Sequence, residues 1–94
     1  MPYFTYILRC SDDTLYTGWT DNLEKRLDAH NKGTGGRYTR ARLPVELVYK
    51  EEFASRSEAL RRERAIKKMK RTGKLRLIDG THPEAGEYRN PYRV

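Results

Sequence analysis

Residues 3–20 read YFTYILRCSDDTLYTGWT, and their alternation restricts the fold more than any other feature of the chain. In YFTYILRC, Phe4, Tyr6, Leu8 and Cys10 fall on one side and Tyr3, Thr5, Ile7 and Arg9 on the other, the period-two pattern of a strand. SDDT supplies turn residues and LYTGWT resumes with aromatic and β-branched side chains, so the segment predicts two antiparallel strands joined as a hairpin. Gly18 interrupts the second strand, where a glycine marks a bulge or the close approach of another group. Two tyrosines, Tyr6 and Tyr16, occupy positions that any large apolar residue would fill equally well as core.

Downstream the period changes. Asp21 or Asn22 caps a helix over residues 22–32 that Gly33 ends, with Leu23 and Leu27 as a short apolar stripe and Arg26 and His30 beside it. Glu24, Lys25 and Asp28 point elsewhere. KGTGGRYTRARLP is glycine-rich, basic and non-periodic, which predicts a surface loop, and VELVYKEEF after Pro44 predicts a third strand. Ser55 or Ser57 opens a second helix, SRSEALRRERAIKKMKRT, and a shorter helix or turn continues through KLRLI after Gly73. Ala59, Leu60 and Ile66 define the buried side of that second helix, and Glu63 falls angularly among them. A carboxylate on an apolar stripe wants a cation, which is a metal or a guanidinium such as Arg26, Arg61 or Arg62. The tail, DGTHPEAGEYRNPYRV, has no periodicity, so residues 1–78 are expected to form one domain and 79–94 an irregular or flexible extension.

Charge narrows the class of partner. The chain of 94 residues carries 20 Lys+Arg against 13 Asp+Glu, a net of +7. The excess is local: residues 56–76 hold ten Lys/Arg and two Glu, whereas residues 1–55 hold eight of each sign. One solvated helical face explains such a run, and so does a polyphosphate partner. The candidate phosphate-contacting residues are Arg37, Arg40 and Arg42 in the glycine-rich stretch, with Arg61, Arg64, Lys67, Lys68, Lys70 and Arg71 in the helical one. Too few bulky apolar residues accompany them for a membrane-surface helix, and no apolar run approaches the roughly 20 residues of a membrane span. MPYFTYILRC lacks a cationic leader and cleavage site, which leads to an expectation of cytoplasmic residence. The single cysteine, Cys10, permits no internal disulfide and is expected to be a small buried residue.

Tyr6, Tyr16, Arg26, His30 and Glu63 together resemble the site of the GIY-YIG endonuclease superfamily. Phe4-Thr5-Tyr6 corresponds to the Gly-Ile-Tyr half of the motif and Tyr16-Thr17-Gly18 to the Tyr-Ile-Gly half. DNLEKRLDAHN is similar to the family's helix with an arginine and a histidine four apart, and EALRRE to the helix that delivers its metal-binding glutamate. Order and spacing agree over residues 3–70, and the likeness is greatest to small stand-alone bacterial members. No second DNA-binding domain is recognisable, so strong sequence specificity is not expected.

The resemblance implies an α/β chain of the α+β type, with a small three-stranded antiparallel sheet flanked by helices. It also implies phosphodiester hydrolysis in DNA with one divalent cation, magnesium or manganese, and a place in DNA repair or recombination. The residue types suit that chemistry. Glu63 is a hard oxygen ligand, Arg26 holds phosphate oxygens bidentately, and His30 orients the phosphate or moves a proton. Tyr6 is the candidate base, although tyrosine's reference pKa is about 10. A cation about 4 Å away at an effective dielectric of 20 offers about 4 kcal/mol towards ionising it, before desolvation opposes the shift. Tyr16 positions the attacking water or supports Tyr6. Trp19 is core or a stacking surface for a base. The alternative function is a non-catalytic nucleic-acid-binding accessory protein, with RNA as a further substrate class.

Overall fold

The computed structural model describes residues 2–83. The alternating segment forms β1 (Tyr3–Arg9) and β2 (Leu15–Thr20), antiparallel with Tyr6 opposite Gly18 and Leu8 opposite Tyr16. The chain continues through α1 (Leu23–Asn31), α2 (Arg37–Arg40), β3 (Glu46–Phe53), α3 (Arg56–Lys67) and α4 (Arg71–Asp79). β3 pairs antiparallel with the other edge of β1, giving a three-stranded sheet of order β2-β1-β3. The expected fold class is therefore observed. A register shift between Ile7 and Leu8 takes Val48 out of the β1–β3 pairing as a bulge.

Placing β1 in the centre explains why both of its sides are apolar. Tyr6, Leu8 and Cys10 pack with Val45 and Leu47 beneath Leu23 and Leu27 of α1. Ile7 packs on the opposite face with Val48, Tyr49, Ile66 of α3 and Leu77 of α4. Each large apolar side chain buried this way contributes about 1.5–3 kcal/mol, so a sheet covered on both faces gives this short chain a core on either side. Cys10 is buried, as expected.

Local signals set the helix ends. Asn22, not Asp21, caps α1 by accepting from the Lys25 backbone N–H at 3.1 Å. Ser55, not Ser57, caps α3, accepting from Glu58 N–H at 3.3 Å while its hydroxyl donates to the Glu58 carboxylate at 2.8 Å. Gly80, in the left-handed region at φ 84°, closes α4.

Two expectations are corrected. The glycine-rich stretch is not only a loop: it contains the single turn α2, with Thr39 fully buried. The second long helix stops at Lys67 instead of running to residue 72, and α4 starts at Arg71 with Gly73 inside it instead of before it. A β-carbon at position 73 would make only ordinary contact with Met69, Cβ to Cβ at 3.4 Å, so packing does not demand the glycine inside this turn. That turn is what buries Leu77 against β3. Of the segment expected to be irregular, Asp79 still belongs to α4, and the Arg76 guanidinium donates to the Thr81 carbonyl at 2.9 Å. Residues 84–94 of that expectation lie outside the described residues.

Candidate active site

The hairpin brings the two phenols together because Tyr6 and Tyr16 are diagonal neighbours on one face of β1 and β2. Their ring centroids lie 6.5 Å apart. Gly18 is required by steric room rather than by backbone conformation. A β-carbon there would stand 2.6 Å from the Tyr6 hydroxyl and 2.8 Å from Cζ, so the Tyr6 ring lies across the glycine's bare face.

Helix α1 covers that face. Arg26 and His30, one turn apart, both point at the sheet. The Tyr6 hydroxyl and His30 Nε2 are 3.0 Å apart, and His30 Nδ1 meets the Thr39 hydroxyl at 2.8 Å. Tyr16 approaches the imidazole edge-on at 5.3 Å between centroids. The Arg26 guanidinium donates to the Gly35 carbonyl at 2.7 Å, and its charge interacts with both phenols. Arg26 is thus a cation shared by Tyr6 and Tyr16.

Burial dominates the electrostatics of this group. Tyr6, 1% exposed, is pushed up to about 12 by desolvation, with the Arg26 hydrogen bond opposing and the charges of Tyr16 and Glu63 adding to the rise. The cationic neighbour that a tyrosine base needs is present, but it does not win, because loss of water costs a phenolate more than one guanidinium returns. His30 is pushed down to about 4, first by its own burial and then by the Arg26 charge. At neutral pH the resting state is therefore a protonated phenol against a neutral imidazole.

Glu63 projects from α3 with its side chain only 15% exposed, as its place among apolar residues implied. Its ion-pair partner is Lys67 at 3.6 Å. Arg62, the guanidinium considered for that role, instead forms a fork with Glu51 on β3. Glu63 belongs to the same electrostatic group as Tyr6, since its charge opposes ionisation of the phenol. Among the described residues no three His, Cys, Asp or Glu side chains cluster as a metal cage. A largely buried carboxylate whose charge is felt at the Tyr6 phenol fits a hard cation that keeps most of its waters and takes further ligands from a phosphate, as magnesium does.

The basic candidates divide into two groups. Arg37, Arg40, Arg61, Arg64, Lys68 and Lys70 are exposed and carry no ion pair among the described residues. Arg42 is paired with Asp12 at 3.0 Å, Arg71 with Asp13 at 3.2 Å, and Lys67 with Glu63. Asp12 and Asp13 belong to the hairpin turn, so these pairs tie that turn to the α2 loop and to α4. Arg42 also lies 3.9 Å over the ring of Tyr38, which stacks on Tyr16 at 6.0 Å. Trp19 is half-buried with Arg56 over its ring at 5.0 Å, so one face of that ring is already covered.

Three contributors were not legible in the sequence: Gly35, Tyr38 and Thr39. Gly35 is buried against His30, and a β-carbon there would stand 2.5 Å from Nδ1. The visible trace of this packing is the paired glycine before Arg37-Tyr38-Thr39, which also fits an ordinary loop.

Comparison with known proteins agrees with this geometry. A model of the GIY-YIG catalytic domain matches residues 2–76. A UPF0213 protein of Clostridium perfringens is 59% identical over 75 residues, covering 80% of this chain and 81% of that protein. One from Natronomonas pharaonis is 50% identical over 76 residues, covering 81% of this chain and 89% of the relative. The solution NMR structure of a UPF0213 protein from Bacillus halodurans superposes with a TM-score of 0.59 at 36% identity, covering 100% of this chain and 97% of that one. A hairpin presenting two tyrosines to an arginine and a histidine, matched over this span, leaves one conclusion: the chain belongs to the GIY-YIG family, within its small single-domain UPF0213 group.

Proposed function

We propose that this protein is an endonuclease that hydrolyses phosphodiester bonds in DNA with the help of one divalent cation. The observation that carries the reading is the contact of the Tyr6 hydroxyl with His30 Nε2 at 3.0 Å, where the charges of both Arg26 and Glu63 act on the phenol. Phosphodiester hydrolysis needs a proton acceptor for the attacking water and positive charge for the phosphoryl oxygens, and this chain supplies both.

A phenol pushed up to about 12 is no base in its resting state, since ionising it at pH 7 costs about 7 kcal/mol. A relay lowers that cost, because the proton comes to rest on His30, whose value of about 4 makes its uptake cost about 4 kcal/mol at pH 7. The water transfers its proton to the Tyr6 oxygen while the phenol's own proton passes to His30 Nε2. The bond from water oxygen to phosphorus forms, the ester bond on the opposite side of phosphorus breaks, and the departing alkoxide takes a proton from solvent. Tyr6 ends neutral and His30 ends as imidazolium, which solvent resets. Arg26, whose charge acts on the phenol, balances negative charge gathering on the phosphate. Tyr16, sharing Arg26, positions the water. Glu63 would hold the cation, which when bound polarises a phosphoryl oxygen as a Lewis acid. The exposed Arg37, Arg40, Arg61, Arg64, Lys68 and Lys70, which carry no ion pair among the described residues, hold the backbone. They read charge and shape, so single-stranded or irregular DNA is the favoured substrate over a defined duplex sequence.

One observation favours a second reading. Tyr6 is buried with its hydroxyl already engaged, as it would be in an accessory protein that binds nucleic acid without cutting it. Incubation with labelled single-stranded, duplex, branched and RNA substrates in magnesium or manganese separates the two. Cleavage that a chelator and Glu63→Ala both abolish supports the nuclease. Binding without cutting in either metal establishes the accessory role.

A further inference from the structure

The contacts around His30 fix more than its position. Its imidazole lies between two hydroxyls, Tyr6 at Nε2 and Thr39 at Nδ1, and it is fully buried. A neutral imidazole donates from one nitrogen and accepts at the other, so the two hydroxyls cannot stand in the same relation to it. The proton count decides which is which. The Thr39 hydroxyl has one proton, and it donates to the Gly36 carbonyl at 3.4 Å, the natural acceptor one turn back in α2. Towards His30 it is then left to accept, which puts the imidazole proton on Nδ1. On the other side, an imidazole whose proton sits on Nδ1 has only a lone pair to offer at Nε2, 3.0 Å from the Tyr6 hydroxyl. The phenol's proton is thereby directed at Nε2. The opposite assignment would leave the Gly36 contact unmade and turn the phenol's proton away from the imidazole.

We propose that Thr39 is a positioning residue that holds His30 as the Nδ1–H tautomer and so keeps the Nε2 lone pair aimed at the Tyr6 hydroxyl. The α2 segment is shaped for the task. Gly35 lies so close to the imidazole that any side chain there would collide with Nδ1 and Cγ, and its carbonyl holds Arg26 in place. One short segment thus sets the imidazole's tautomer and the guanidinium's direction together. This inference rests on the relay proposed above, and it gives Thr39 its part in that reaction although the threonine touches no substrate.

The test reads the tautomer directly. Long-range proton–nitrogen correlation spectra of histidine-labelled protein show which ring nitrogen carries the proton, and the other histidine, His82, is assigned with His82→Gln. The wild-type protein is expected to carry it on Nδ1 of His30. Thr39→Ser keeps a hydroxyl and should keep both that signature and near-wild-type cleavage. Thr39→Val removes the acceptor, should move the proton to Nε2, and should slow cleavage about 10- to 100-fold. If Thr39→Val does not fold, the wild-type and Thr39→Ser spectra still decide. A wild-type protein that cuts DNA with the proton of His30 on Nε2 overturns the assignment and leaves the nuclease reading standing, as does a folded Thr39→Val that keeps the Nδ1 signature. No cleavage by a wild-type protein that shows the Nδ1 signature supports the assignment and removes the nuclease reading instead.

Discussion

The Tyr6 hydroxyl lies across the space in which a side chain at Gly18 would begin, with a β-carbon at that position only 2.6 Å from the phenol oxygen. The two residues face each other on adjacent strands, and the phenol is held from its far side by His30 at 3.0 Å. Gly18→Ala is therefore an overpacking substitution in which neither partner has room to yield. It should destabilise the fold by about 1–3 kcal/mol in urea titrations. In a double-mutant cycle Tyr6→Phe, which deletes the hydroxyl, should remove part of that penalty, making the pair less destabilised than the sum of the singles. Strict additivity would mean that the crowding has another source.

Tyr6→Phe by itself separates the phenol's chemistry from its packing. The ring and its contacts with Leu8 and Val45 remain, while the buried His30 Nε2 loses its hydrogen-bond partner. An unsatisfied buried acceptor costs about 1–3 kcal/mol, so the variant should be modestly less stable yet folded. DNA affinity should stay near wild type and the cleavage rate should fall by about 100-fold or more, as removal of a proton-transfer group does. A parallel drop in affinity and rate would reassign the phenol to binding.

The imidazole makes stability depend on pH in a stated direction. His30 has an ordinary value of 6.5 in the unfolded chain and about 4 when folded. Its contribution is present above pH 6.5 and is lost as pH falls from there through 4, because the unfolded state takes up the proton first. The full effect is about 3 kcal/mol. Tyr6 acts at the other end: with its folded value raised from 10.0 to about 12, its contribution holds below pH 10 and is lost as pH climbs through 12. Stability measured from pH 7.5 down to 4 should fall more steeply in the wild type than in His30→Gln, which lacks the titrating group. Equal slopes would show that His30 is not held neutral.

What the sequence made visible divides along physical lines. The hairpin was legible because alternation reports directly on which side of a strand is buried, and Gly18 because a strand glycine signals close approach. Glu63 stood out as a carboxylate at a buried helical position, which no solvated helix produces. The α2 segment stayed hidden because its structure comes from one buried hydroxyl, Thr39, and one glycine, Gly35, packed on His30, contacts that leave no period in four residues. The start of α4 was misplaced because Gly73 resembles a helix breaker, whereas it sits within the first turn of α4, where the burial of Leu77 outweighs its low helix propensity. The ionisation of Tyr6 was open in the sequence for a related reason. Cationic neighbours can be counted along a chain, but the water lost on burial cannot, and burial is the larger effect.

Glu63→Ala tests the metal site against a bland structural role. The carboxylate's ion pair is with Lys67, whose side chain is about half exposed, and surface pairs of this kind are worth about 0–1 kcal/mol. The variant should therefore lose little stability. Binding of DNA in chelator should be unchanged or stronger, since a negative charge has been removed from a basic surface, while cleavage in magnesium disappears. A large loss of stability without loss of cleavage would make Glu63 a structural residue.

The unpaired basic residues give a quantitative signature that the paired ones do not share. Each cation that neutralises a phosphate releases condensed counterions, lowering the slope of log affinity against log salt by about 0.7 for single strands and 0.9 for duplex. Lys68 and Lys70 are exposed at the junction of α3 and α4 and are free of ion pairs among the described residues, whereas the Arg71 guanidinium is shared with Asp13 at 3.2 Å. Lys68→Gln and Lys70→Gln should each reduce the slope by close to that amount, without changing the preference among DNA sequences. Arg71→Gln should change it less, because its charge is already partly balanced within the fold. Filter-binding titrations across a range of salt concentrations measure all three, and a slope insensitive to Lys68 and Lys70 would move the nucleic-acid path away from this corner of the molecule.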